Sequence, residues 1–251
     1  MANHQLNQAY TKAFETFLSH TNEKLILLEY LGKLIQSREV SSVLDIGAGN
    51  GDLAIPLARE VGRYVAVEQK PNYANTLRNS NLFVYQAVFP CLIDGKFDLV
   101  LGSHIIPWRK EEYTPLIFAA WDLVATYGQL VLITYDDTEH SAWNELRDGC
   151  NLPTSRRSGS RIDLFREVLE TLGEVEVIEL VTAVETNTLD ELCQALAFVY
   201  SDGEIEKLTF FLKNEAVRTY LETNHKTEGR YSFPFTHYVL QVSKLPQAEF
   251  I

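Results

Sequence analysis

The sequence predicts an α/β fold with a doubly wound, mostly parallel sheet of seven strands. An apolar run at 43–46 breaks into three closely spaced glycines just before an amphipathic segment, which is typical of a strand, a tight turn and a helix start. A second apolar run follows at 64–67. Short apolar runs then alternate with helical periodicity through the rest of the chain, as a parallel sheet requires.

Each later element is predicted from a local signal. Glycines mark the turns, at Asp94-Gly95 between two strands, at Gly128 after a helix, at Gly173 after another, and at 201–203 between two helical segments. The predicted strands are 43–46, 64–67, 82–88, 97–101, 129–134, 174–181 and 237–242. The predicted helices are 53–61, 115–125, 161–172, 189–200 and 204–221.

The chain is predicted to form one domain over 1–251, because 251 residues suffice for a single large core. Its predicted parts are an N-terminal helical segment (1–40), a ligand-binding core (41–183), a helical insertion before the last strand (184–235), and the final strand with its tail (236–251). The insertion either adds a wall to a substrate pocket or is a helical buttress without ligand contact.

Charge argues against nucleic acid as a partner. The chain carries 34 acidic and 22 basic residues, a net charge of −12, whereas a protein that holds a phosphate backbone normally presents a basic face. The local basic residues Arg156, Arg157 and Arg161 are interpreted as a solvated loop. The acidic surplus suits a small cationic substrate and equally serves solubility.

Cysteine, histidine and hydropathy patterns exclude other classes. Cys91, Cys150 and Cys193 have no paired spacing and are interpreted as reduced structural thiols. The six histidines show no ligand spacing, so no metal site is predicted. The N-terminus lacks an apolar signal core and no run approaches the ~18 apolar residues of a membrane span, so the expected location is the cytoplasm, without a membrane partner.

The glycine turn predicts a nucleotide-like ligand. Glycine permits positive φ angles and close approach of a ligand, and the following helix presents unpaired N–H groups. The dinucleotide fingerprint requires a further glycine where Asp52 stands, so a dehydrogenase is the least favoured class. Asp45, placed by the sequence inside the turn, would repel a pyrophosphate and attract an amino group.

Glu68 follows the second strand, where a carboxylate can accept hydrogen bonds from both ribose hydroxyls of a nucleoside. The alternative is an ordinary α/β turn with a solvated Glu68. Asp45, the glycines and Glu68 together resemble the cofactor site of class I S-adenosylmethionine-dependent methyltransferases, which have a Rossmann-like fold. The resemblance implies S-adenosylmethionine as cofactor and S-adenosylhomocysteine as product. The implied cofactor-binding residues are Asp45, Gly47, Ala48, Gly49, Asn50, Gly51, Glu68, Gln86, Ala87 and Ser103.

Segments outside the core resemble the histamine N-methyltransferase family. The N-terminal stretch 10–23 has the same Tyr, Phe, Phe-Leu, His and Glu spacing, and Gly102-Ser103-His104, Ser141-Ala142-Trp143 and the insertion at 190–212 occupy matching places. Phe235 stands where that family has a polar substrate contact, so histamine itself is not predicted as the substrate.

This second resemblance implies roles for substrate-side residues. Glu23 would recognise an amine, with Tyr10 and Phe14 as pocket walls; the alternative for Glu23 is a first-turn acid on a helix capped by Thr21 or Asn22. His104 would accept a proton from the attacking nitrogen or hydrogen-bond the substrate, unless it is structural. The catalytic residues are therefore predicted to be His104 and Glu23. The predicted substrate-binding residues are Tyr10, Phe14, Glu23, His104, Trp108 and Trp143, although a tryptophan is more often core.

The predicted function is in-line transfer of a methyl group from S-adenosylmethionine to a small-molecule acceptor, favouring an amine or imidazole nitrogen. The alternatives are a methyltransferase of a protein or RNA partner and a non-catalytic module that keeps the cofactor pocket. The sequence does not decide between nitrogen, oxygen and sulfur acceptors and does not predict an oligomeric state.

Overall fold

The computed structural model describes residues 2–105, 113–136, 138–153, 161–201 and 203–246. The strands are β1 (Ser42–Ile46), β2 (Arg63–Val67), β3 (Phe83–Tyr85), β4 (Phe97–Ser103), β5 (Val124–Tyr135), β6 (Val175–Thr186), β7 (Lys226–Thr227) and β8 (Arg230–Ser243). The helices are α1 (Ala2–His20), α2 (Glu23–Ser37), α3 (Ala54–Leu57), α4 (Pro71–Asn79), α5 (Tyr113–Asp122), α6 (Ala142–Gly149), α7 (Arg161–Glu170), α8 (Leu189–Ser201), α9 (Ile205–Leu212) and α10 (Glu215–Asn224).

The chain divides into two compact units. Among the described residues, the sheet unit comprises 24–105, 113–136, 161–180 and 237–246, and the helical unit comprises 2–23, 138–153, 181–201 and 203–236. The chain passes from one unit to the other within β6 and within β8. No helix among the described residues is long and apolar enough to cross a membrane.

The sheet confirms the predicted fold class. Its strand order is β3-β2-β1-β4-β5-β8-β6, with the short β7 paired to β8 outside this seven-strand path. Strands β3, β2, β1, β4 and β5 pair in parallel, whereas β8 runs antiparallel to β5, with Tyr135 opposite His237 and Gln129 opposite Ser243. Parallel strands place their carboxyl ends at one edge, so the segments that follow β1, β2 and β4 start side by side.

Alternation along the strands produces two cores in the sheet unit. In β5, Leu130 and Leu132 pack into one apolar cluster with α5 and α7, while Val131 and Ile133 pack into another with α2, α3 and α4. Helices therefore cover both faces of the mostly parallel sheet, which explains why the central strands β1 and β4 are largely apolar and buried.

The helical unit has its own aromatic core. Phe17, Phe211, Phe233 and Phe235 are buried there with the apolar faces of α6, α8 and α10. The aliphatic and aromatic side chains of this cluster come from segments that are distant in sequence, which is why α1 and the helices between β6 and β8 form one packed body.

Several predicted boundaries are wrong. The helix expected at 204–221 is two helices, because the Asn214 side chain accepts hydrogen bonds from Ala216 N and Val217 N and starts α10. Strand β5 begins at Val124 rather than 129, since Tyr127 takes a positive φ of 67° and the strand continues through a register shift instead of ending in a turn. β8 begins at Arg230, well before 237.

Candidate functional site

The glycine turn lies between β1 and α3, at the carboxyl edge of the sheet. Gly47 and Gly51 have φ angles of 75° and 93°, in the region that favours glycine. A Cβ on Gly47 would lie 2.5 Å from Ile105 Cγ2, and one on Gly51 would lie 2.7 Å from Ile55 Cδ1. The positive φ angles favour glycine at both positions, and a Cβ at either one would also require an isoleucine side chain to shift.

Glu68 holds this turn in place. The residue directly follows β2 and is only 6% exposed. Its Oε2 accepts a hydrogen bond from Gly49 N at 2.8 Å, and its Oε1 accepts one from Lys70 N at 2.7 Å. Because each carboxylate oxygen has two lone-pair sites, both can accept a further hydrogen bond. Glu68 is thus a positioning group for the turn that still has acceptor capacity for a diol.

Asp45 lies within β1 and not inside the turn, which corrects the placement predicted from sequence. Its side chain is 3% exposed, and Oδ2 accepts a hydrogen bond from the Tyr64 hydroxyl at 2.8 Å. Burial raises the pKa of the Asp45 carboxyl to about 6, and the Tyr64 hydrogen bond and the charge of Lys24 oppose that rise. This carboxylate therefore gains much of its charge near neutral pH.

Tyr64 is a site residue that the sequence analysis missed. It lies on β2, whose register places Ala66 opposite Asp45. Burial and the neighbouring Asp45 raise the pKa of the Tyr64 hydroxyl well above its ordinary value, so it stays a proton donor. The signal in the sequence is weak: a tyrosine at the start of the apolar run 64–67.

The residues predicted for the adenine side lie after β3 and at the end of β4. Gln86 is exposed and its Oε1 accepts a hydrogen bond from Arg78 Nη1 at 3.1 Å, and Ala87 is partly buried. Ser103 ends β4, and its buried Oγ has no hydrogen-bond partner among the described residues. A buried hydroxyl in that state is a group that a ligand can satisfy.

His104 stands directly after β4 in a strained conformation. Its φ is 56°, in the left-handed region that non-glycine residues rarely adopt, and its amide donates to Ile133 O at 3.0 Å. The imidazole stacks on Tyr135, with ring centroids 4.1 Å apart, and meets His237 edge to face at 5.4 Å. Strain of this kind concentrates at functional sites.

Tyr135 and His237 are further residues that sequence reasoning missed. They face each other across the antiparallel β5 and β8 pair, with ring centroids 4.8 Å apart, and His237 is fully buried. The pairing of β5 with β8 brings them to His104. A pairing between strands so far apart in the sequence cannot be predicted from the spacing of the residues.

In the helical unit, the aromatic residues predicted to bind substrate pack against other rings. Tyr10 and Phe14 both contact Phe198, at 5.6 and 4.9 Å between centroids. Trp143 stacks on Phe235 at 6.1 Å and also contacts Phe211 and Phe233. The three side chains are partly buried, so each has an exposed part beside its packing role. Trp108 lies outside the described residues, as do Arg156 and Arg157.

Glu23 is the first residue of α2 and is 2% exposed. Its amide donates to the Thr21 hydroxyl at 3.2 Å, which is the capping interaction expected from the sequence, and Asn22 Oδ1 instead accepts from Ala183 N. An acid that served only the helix dipole could remain in water. The burial of Glu23 therefore adds a cost that capping does not explain.

Comparison with solved structures identifies the fold. A protein named YcgJ from Bacillus subtilis superposes with a TM-score of 0.56 at 16% identity, over 86% of this chain and 98% of that one. A protein from Galdieria sulphuraria, provisionally assigned as a sarcosine dimethylglycine methyltransferase, superposes with a TM-score of 0.54 at 15% identity, over 88% of this chain and 86% of that one.

A third structure is that of an S-adenosylmethionine-dependent methyltransferase from Geobacter sulfurreducens in complex with S-adenosylhomocysteine. It superposes with a TM-score of 0.51 at 16% identity, over 91% of this chain and 97% of that one. No known family profile and no curated protein matches the sequence. The chain thus has the Rossmann-like fold of class I methyltransferases.

Proposed function

We propose that this protein binds S-adenosylmethionine at the glycine turn and transfers its methyl group to a small-molecule acceptor, an amine or imidazole nitrogen. The observation that carries the proposal is the joint geometry of the turn and Glu68. Gly47 and Gly51 leave no room for a side chain, and Glu68 fixes Gly49 N while keeping lone pairs for hydroxyl donors. The structural neighbour from Geobacter sulfurreducens is described with S-adenosylhomocysteine bound.

The residues at the carboxyl edge fit the parts of this cofactor. Ionised Asp45 suits the ammonium group of the methionine end, Glu68 suits the ribose hydroxyls, and Ser103 Oγ offers a buried donor and acceptor on the adenine side. When bound, the sulfonium supplies an electrophilic methyl group. The chain's own task is to hold a neutral nitrogen lone pair in line with the methyl group and to exclude water.

His104 is the residue proposed to touch the acceptor. Its imidazole, at the end of β4, can accept the proton that an amine nitrogen loses after methylation. Glu23 is proposed to recognise a cationic or hydrogen-bonding amine, with Tyr10, Phe14 and Trp143 as aromatic walls, because a buried carboxylate and aromatic faces both attract such a group. We further propose that the protein acts in the cytoplasm.

The first test combines binding with product detection. Calorimetry should show one S-adenosylmethionine per chain, and mass spectrometry should show a methylated product and S-adenosylhomocysteine with imidazole amines or other biogenic amines, but not with thiols or phenols. Cofactor binding without turnover of any panel member would reject the small-amine proposal. Absence of cofactor binding would reject the methyltransferase proposal altogether.

A matched pair of variants tests the acceptor side. Glu23→Gln should raise the KM for the amine by about tenfold through loss of a charge-assisted hydrogen bond, with cofactor affinity unchanged. Glu15→Gln, an exposed acid on α1, should leave KM unchanged. Equal KM values for Glu23→Gln and the parent protein would remove Glu23 from the acceptor site.

A further inference from the structure

Two histidines that are far apart in the sequence converge in the sheet unit. His104 follows β4 and His237 lies in β8, and a ring nitrogen of each lies within 4.8 Å of the other. Their rings meet at 66° with centroids 5.4 Å apart, so they approach edge to face and do not stack. Two imidazoles can bind the same ion only if a nitrogen of each can point toward it.

The distance is close to what a shared metal ion needs. Zinc–imidazole bonds of 2.0–2.1 Å in a tetrahedral site put two nitrogens at about 3.3 Å from each other. The ring nitrogens of His104 and His237 lie within 4.8 Å of each other, which is near that spacing, and His104 is the less buried of the two residues.

The surrounding backbone holds both rings in place. His237 is fixed in the β5–β8 ladder opposite Tyr135, and His104 is anchored by its amide hydrogen bond to Ile133 O. Tyr135 stacks flat on the His104 ring at an interplanar angle of 21°. The strands and the stacking on Tyr135 already restrict the two imidazoles. They therefore lose little conformational entropy when they bind an ion.

We propose that His104 and His237 form a binding site for one divalent transition-metal ion of the kind that imidazole prefers, with Zn²⁺ as the representative ion. Two protein ligands leave coordination positions for water or for a nitrogen, oxygen or sulfur donor of a small molecule. An ion on His104 occupies the lone pair that accepts protons, so ligation and the base role proposed above exclude each other at any one time. The metal proposal does not rest on methyl transfer.

The histidine spacing in the sequence predicts no such site. Sequence motifs for metal sites consist of ligands that lie a few residues apart. His104 and His237 instead come from the end of one strand and the middle of another. Their meeting depends on β8 entering the sheet antiparallel to β5, with His237 in register with Tyr135.

The test is metal binding by the full chain, treated with a chelator and then dialysed. Titration with Zn²⁺ in a calorimeter should show one equivalent bound. His104→Ala and His237→Ala should each weaken the association by at least about tenfold, because loss of a ligand costs no less than loss of a group that supports one. His140→Ala, at an exposed histidine, should bind like the parent protein.

Two controls keep the result interpretable. Absorption of the Co²⁺ form should show nitrogen and oxygen ligation without thiolate bands, which separates this site from the free thiols of Cys91, Cys150 and Cys193. If His237→Ala fails to fold, the His104→Ala variant and the Co²⁺ spectrum still test whether the two histidines bind the ion. No measurable Zn²⁺ binding, binding unchanged in His104→Ala, or thiolate bands would each overturn the proposal, and none of them bears on cofactor binding.

Discussion

The glycine turn of the sheet unit and the aromatic cluster of the helical unit are both predicted as ligand sites from sequence. They differ in the interactions that their residues make. In the turn, Gly47 and Gly51 adopt positive φ angles with no space for a side chain, and Glu68 is aimed at a backbone amide. In the cluster, Tyr10, Phe14 and Trp143 each pack against a phenylalanine ring. Packing accounts for the aromatic cluster, whereas in the turn Glu68 also keeps acceptor capacity beyond its hydrogen bonds to Gly49 N and Lys70 N.

The two regions differ in which residues indicate a ligand-binding site. Apolar packing stabilises the fold by itself, so an aromatic cluster needs no ligand to explain it. A buried carboxylate costs free energy unless it is hydrogen-bonded, so its burial indicates that something else is gained, whereas the glycines let the turn adopt positive φ angles without strain.

The largest effect is expected in the helical unit, from two adjacent phenylalanines on α9. Phe211 is 1% exposed and Phe210 is 46% exposed. Phe211→Ala should lower the free energy of unfolding by about 3–5 kcal/mol, because it removes a buried ring and leaves a cavity. Phe210→Ala should change it by about 0.5 kcal/mol or less. Urea denaturation measures both, and equal losses would mean that the cluster is not a packed core.

In the sheet unit, the next largest effect should appear in binding. Glu68→Ala should weaken S-adenosylmethionine binding by about 1–3 kcal/mol, since it removes acceptors for the ribose and frees Gly49 N from its partner. Calorimetry measures the change. Glu60→Ala, an exposed acid that precedes β2, is the matched control and should bind as the parent protein does. An unaltered affinity in Glu68→Ala would refute the assigned role.

Prediction from sequence succeeded for the fold class, whose determinants are local. The alternation of strands and helices and the positions of the glycine turn after β1 and of Glu68 after β2 are set within short segments by periodicity and turn residues. The ligand roles of the turn and of Glu68 stay predictions. Prediction from sequence failed where a partner comes from elsewhere. Tyr64 is close to Asp45 only through the β1–β2 register, and Tyr135 meets His237 only through the β5–β8 pairing. The split between α9 and α10 depends on an Asn214 cap that resembles any other polar residue in a helical pattern.

A change of pH tests the sheet-unit side of this contrast, because it titrates the buried carboxyl of Asp45. Its pKa of about 6 exceeds its ordinary value of 3.8, so the folded state favours the protonated form. The cofactor-free protein should therefore lose stability as pH rises from about 4 to about 6. Cofactor affinity should run the other way, rising by up to about 1.4 kcal/mol per pH unit below 6 and levelling off above it.

Asp45→Asn separates these two effects. The amide carries no charge at any pH, so the stability change between pH 4 and pH 6 should shrink and cofactor affinity should be weak and nearly constant across that range. Thermal denaturation and calorimetry at several pH values provide the measurements. A parent protein whose cofactor affinity is flat from pH 5 to pH 7 would show that Asp45 does not serve an ammonium group.

The smallest expected effect is carried by a single hydroxyl. Tyr64 donates to Asp45 Oδ2 at 2.8 Å and favours the ionised carboxylate, while its ring is packed in the core with 8% exposure. Tyr64→Phe keeps the ring and removes the donor, so the Asp45 pKa should rise further. The midpoint of the pH dependence of cofactor binding should move upward by up to about one pH unit, which corresponds to a hydrogen bond of about 1 kcal/mol.

Tyr127→Phe, at a tyrosine that is 78% exposed, should leave the midpoint in place. A midpoint that stays or falls in Tyr64→Phe would mean that the Tyr64 hydrogen bond does not favour the ionised form of Asp45, and that burial and the neighbouring charges set its pKa.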